Sequence, residues 1–91
     1  AVIATAAGVV TWSGSMFGYG ELVEIDHGNG LRTRYGHNQS LSVNVGDVVA
    51  KGDKIANMGS TGRSTGPHVH YEVLRGGQQI DPQKFVYRKA S

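Results

Sequence analysis

There is no cysteine among the 91 residues, which excludes disulfides, thiolate metal ligands and a thiol nucleophile. Proline occurs only as Pro67 and Pro82. No hydrophobic run is long: the longest, near Ala6–Val10, falls far short of the ~20 residues a membrane helix needs. It is also too short for the core of a signal peptide. Neither sign of charge dominates, with nine Lys and Arg against seven Asp and Glu and a net charge of +2. Arg88-Lys89 is the longest basic run, so no nucleic-acid footprint is indicated. A chain of this length makes one small domain over residues 1–91 and buries only about 60% of its unfolded surface. The first residues, Ala1–Ala4, are already strand-like, with no initiator Met or leader, so a piece of a longer protein is expected.

Glycine is plentiful, at 14 residues, and it punctuates short β-branched runs. Ala1–Ala4 and Gly8–Trp12 read as strands, followed by a Gly-rich loop over Ser13–Gly20 whose Phe17 and Tyr19 could wall a groove or cap the core. Glu21–His27 alternates, with Val23 and Ile25 on one face and Glu24 and Asp26 on the other. Gly28-Asn29-Gly30 is a hairpin turn, and Leu31–His37 returns, with Thr33, Tyr35 and His37 on one face and Arg32 and Arg34 on the other. Val43–Met58 carries Gly-Asp turns at Gly46-Asp47 and Gly52-Asp53. This spacing is like one half of a lipoyl or biotinyl carrier, but Lys51 and Lys54 lack the hairpin-tip setting of a modified lysine, so the pattern reads as architecture. A polar loop, Gly59–Pro67, leads into a strand over His68–Arg75. There Val69, Tyr71 and Val73 should face the core, and His68, His70 and Glu72 a groove or solvent. Gly76-Gly77 turns the chain into Gln78–Ile80. Asp81-Pro82 looks like a cap and first position of a short helical turn, and Arg88–Ser91 should fray. The fold class expected is all-β: an antiparallel sheet or sandwich with little or no helix.

Four histidines carry the possible chemistry. His27 adjoins a turn and needs no functional explanation. His68 and His70, two apart on a strand, point the same way at roughly 6–7 Å along the chain, and His37 ends the other hairpin strand. A catalytic zinc takes about three His, Asp or Glu ligands and keeps one open position, and imidazoles beside it can move protons or steady an oxyanion. Three histidines can divide into one ligand and two catalytic groups, but they cannot also complete the ligand set.

Taken together, Gly18-Tyr19-Gly20, Val23-Glu24-Ile25-Asp26-His27-Gly28, Tyr35-Gly36-His37, Val45-Gly46-Asp47 and the run from Gly59 to Val73 resemble the lysostaphin-type zinc metalloendopeptidases, which cut peptides in bacterial peptidoglycan. The resemblance implies an antiparallel β-fold of the duplicated hybrid-motif type. It implies one zinc ion, with His70 as a ligand, His37 and His68 as the catalytic imidazoles, and a substrate groove bordered by Tyr19, Arg63, Ser64 and Thr65. The family's other two ligands belong to an H-x-x-x-D motif that would precede Ala1. This chain alone is therefore expected to hold zinc weakly and to be inactive in isolation, its site completed by a further N-terminal segment. Peptidoglycan peptides are the implied partner, in the periplasm or outside the cell. The alternative is a non-catalytic relative that binds wall or activates peptidoglycan amidases. A histidine phosphocarrier shares the architecture but fits the H-x-H run less well.

Overall fold

Gly28, Asn29 and Gly30 take φ of 93°, 55° and 79° in the computed structural model, which describes residues 1–59 and 70–80. That left-handed run is open to Gly and Asn at little cost. It joins two long partners among the eight strands of the described residues: β1 (Val2–Ile3), β2 (Gly8–Met16), β3 (Gly20–Gly28), β4 (Leu31–Leu41), β5 (Val48–Val49), β6 (Lys54–Met58), β7 (His70–Arg75) and β8 (Gln78–Ile80). All pairings are antiparallel, in the order β1-β6-β4-β3-β2-β5, with β7 against β4 and β8 against β7. Among the described residues there is no helix. This is the all-β antiparallel fold that the sequence predicts; the turn expected at Asp81-Pro82 and the frayed tail lie outside the described residues.

One face of the curled sheet is apolar. Val10, Val23, Ile25 and Tyr35 from the central strands pack against Val2, Ala4, Val49, Ile55 and Ala56 from the shorter ones. Ile25 and Ile55 are fully buried, each contributing roughly 2 kcal/mol of apolar burial. The Gly-Asp turns behave as expected: Gly46 and Gly52 have positive φ. Asp47 accepts a bond from the Asn44 N–H and Asp53 one from the Ala50 N–H, both at 2.8 Å.

Two expectations are corrected. Ser13–Met16 is strand rather than loop, because each of these residues finds a partner on β3, from Ser13 opposite Val23 to Met16 opposite Gly20. The connection shrinks to Phe17, Gly18 and Tyr19. β4 also continues past His37 to Leu41 by changing partner. Leu31 to Gly36 pair with β7, and Asn38 to Leu41 pair with β6. His37 stands at the changeover with φ of 60°.

Candidate functional site

His70 opens β7 and shares a face with Glu72, while Tyr71 and Val73 face the core side, as the alternation predicts. Its Nε2 lies 2.8 Å from Glu72 Oε2. A carboxylate oxygen accepts, so Nε2 carries a proton, and in the neutral ring the lone pair is then on Nδ1. A His ligand to a metal commonly has its second ring N–H held by a carboxylate in this manner, so His70 suits one zinc position. Among the described residues no three His, Asp or Glu side chains form a ligand group.

Alternation alone would place His37 beside Tyr35 on the core face. The positive φ breaks that alternation, and the His37 ring stands edge-on to His70, centroids 5.7 Å apart. A non-glycine residue in that conformation is uncommon and costs on the order of 1–3 kcal/mol. The His37 N–H donates to the Tyr19 carbonyl oxygen at 2.7 Å, which helps to hold it there.

Tyr19 lies across this face. Its ring meets His70 edge-on at 5.8 Å, and its hydroxyl donates to Glu72 Oε1 at 2.9 Å. Arg34 donates to the same hydroxyl through Nη1 at 3.1 Å and sets its guanidinium 5.5 Å from the ring centroid. The other edge of Arg34 donates to Glu24 Oε2 from Nε at 2.7 Å, and Glu24 Oε1 takes Thr11 Oγ1 at 2.8 Å and Arg32 Nη1 at 3.2 Å. Glu24, Arg34 and Glu72 are successive cross-strand partners on β3, β4 and β7, and with Thr11 of β2 the network crosses four strands. The sequence places Glu24 on the non-core face; it is nevertheless only 7% exposed, and Glu72 8%. Neither the network nor this burial follows from alternation; the adjacent Arg32 and Arg34 were the only signal.

Burial by itself pushes the Glu24 carboxyl up, but the hydrogen bonds from Arg34 and Thr11, with the charges of Arg34 and Arg32, hold it below the ordinary value. The bond to Glu24 raises Arg34 in turn. A carboxyl depressed in the folded state binds fewer protons than in the unfolded chain, so its contribution is present above the unfolded value and lost as pH falls through the folded one. Stability is thus expected to decline from about pH 5 downward, and denaturant melts of Glu24→Gln should show a shallower acid limb than the parent.

His27 belongs to the opposite face. Its Nδ1–H donates to the Ala7 carbonyl oxygen, and Nε2 meets Thr33 Oγ1, each at 2.7 Å. The Thr33 hydroxyl adjoins the Tyr35 phenol at 2.8 Å, at the wall of a cavity of about 140 Å³. This is a structural role, as expected from its position. The structure thus brings together His37, His70 and Tyr19; His68, Arg63, Ser64 and Thr65 lie outside the described residues.

The description of peptidase family M23 matches residues 1–82. The DD-carboxypeptidase/endopeptidase Mpg of Neisseria meningitidis is 48% identical over 81 residues, covering 89% of this chain and 19% of that protein. The murein hydrolase activator EnvC of Escherichia coli is 40% identical over 87 residues, covering 96% of this chain and 21% of that protein. The chain therefore spans about a fifth of these relatives. In structure it superposes on lysostaphin from Staphylococcus simulans with a TM-score of 0.87 at 32% identity, over 99% of this chain and 42% of that one. With the family's motifs, its all-β fold and this extent of match, the chain belongs to peptidase family M23.

Proposed function

We propose that this chain is part of a zinc-dependent endopeptidase that hydrolyses peptide bonds in bacterial peptidoglycan, working in the periplasm or outside the cell. The observation that carries the reading is the approach of His37 to His70, which is reached through an uncommon backbone conformation at His37. Such a conformation at one imidazole of a close pair points to a functional constraint. His70 would hold the metal. Zinc, when bound, supplies Lewis-acid polarisation for amide hydrolysis. His37 would pass a proton at the scissile amide nitrogen through a ring nitrogen, and His68 would take the companion role implied by its place in the family motif. Phe17, fully exposed at the tip of the β2–β3 connection, adds an apolar contact beside Tyr19 for the wall peptide.

The test is digestion of purified peptidoglycan by the full-length protein, with released muropeptides measured by chromatography. Release that a zinc chelator abolishes, and that His37→Ala lowers about 100-fold, is the expected result. No release by zinc-replete protein, or release unaffected by His37→Ala, overturns the reading. The likeness to EnvC favours a second reading, a non-catalytic activator; its mark is release only when a peptidoglycan amidase is added.

A further inference from the structure

We propose that Tyr19 is the positioning residue that locks the two imidazoles of the site into one arrangement, acting on His37 through its main chain and on His70 through its side chain; this rests on the peptidase reading above. The main-chain half is fixed by the turn. Tyr19 N–H donates to the Met16 carbonyl oxygen at 2.9 Å, and Gly18 and Gly20 on either side take φ of 87° and 67°. The carbonyl so oriented receives the His37 N–H at 2.7 Å. Gly36 permits the approach: a Cβ there would stand 3.2 Å from the Tyr19 oxygen, 3.4 Å from its Cδ1 and 3.6 Å from His70 Cβ.

The side-chain half runs through Glu72. The single phenol proton goes to Glu72 Oε1 and the oxygen receives Arg34, so the hydroxyl has no second proton to offer a substrate. With Oε1 engaged, Oε2 is aimed at His70 Nε2 and the ring stays in the Nε2–H tautomer. Removing the hydroxyl takes away the hydrogen bond to Glu72 Oε1, leaving only the Arg34 charge at 3.9 Å, and lets the carboxylate turn. His70 then samples both tautomers, only one of which presents the Nδ1 lone pair. Tyr19 thus acts on the chemistry without touching the reacting atoms.

Tyr19→Phe tests this, because it keeps the ring and the main chain and deletes one oxygen. Long-range ¹⁵N–¹H correlation spectra of the metal-free protein, recorded at about pH 8, above the ordinary imidazole range, read the His70 tautomer directly. The parent is expected to show Nε2–H alone and Tyr19→Phe a mixture. In muropeptide release kcat should fall about tenfold with KM unchanged within twofold. An unaltered tautomer in Tyr19→Phe overturns the proposal, as does a rise in KM at constant kcat, which would mean that the phenol contacts substrate. Should Tyr19→Phe not fold, Glu72→Gln examines the same link from its other end, and there too an unaltered tautomer refutes it. If the full-length protein releases no muropeptide, the peptidase reading fails while the tautomer measurement still decides the role of Tyr19.

Discussion

Arg34→Met is expected to destabilise the fold by about 3 kcal/mol, lowering the melting temperature by roughly 15 °C for a domain of this size. The methionine occupies similar space, so little of the loss comes from packing. It comes from Glu24 and Glu72, whose side chains are each only 9% exposed and both lie within 4 Å of Arg34. Removing one partner of a buried pair leaves an uncompensated charge in a poor solvent, which typically costs about 3–5 kcal/mol. The lower end applies because Arg32 and Thr11 still reach Glu24 and Tyr19 still reaches Glu72. Adding Glu24→Gln to Arg34→Met should recover part of the loss, since the stranded charge is then gone. A loss below about 1 kcal/mol in urea melts would place the pair among ordinary surface salt bridges and refute the account.

Gly8→Ala should be about as damaging, near 3 kcal/mol, for a steric reason. Gly8 begins β2 between Val49 on β5 and the β3 backbone. A Cβ at this position would stand 2.5 Å from the Asp26 carbonyl oxygen and 2.6 Å from Ile25 Cγ2. Neither can yield cheaply: the first is main chain, and the second belongs to a fully buried side chain. The gain from stiffening the unfolded chain is only about 0.4–1 kcal/mol and cannot offset the clash. Thermal melts in which Gly8→Ala matches the parent would show that β2 shifts freely and would sink the prediction.

How far the fold can be read from sequence is seen in particular residues. Val23, Ile25, Thr33 and Tyr35 alternate as a half-buried hairpin should, and the structure buries each of them. The turns at Gly28-Asn29-Gly30, Gly46-Asp47 and Gly52-Asp53 follow from residues that accept positive φ. Ser13–Met16 misleads because it is polar and weakly strand-forming; its state is set by the partner strand, and tertiary pairing overrides local preference. His37 illustrates the harder case. Its motif makes it a site candidate, but a strict period of two sends its side chain to the core. Only the dihedral at that residue, which no pattern of neighbours encodes, brings it to His70. Glu24 is hidden for a related reason: a charged residue on the non-core face is expected in water, and its burial depends on Arg32 and Arg34 of β4 and Thr11 of β2 converging on it.

The exchange of partners along β4 bears on how such a site can diversify. β6 and β7 both end against the same strand, on either side of His37, so the segment joining them has its two ends anchored on one rigid support. Lengthening a connection between fixed ends adds only about 0.6 kcal/mol per doubling. Insertion between Met58 and His70 can therefore lengthen that connection at little cost while β4, β6 and β7 keep their register.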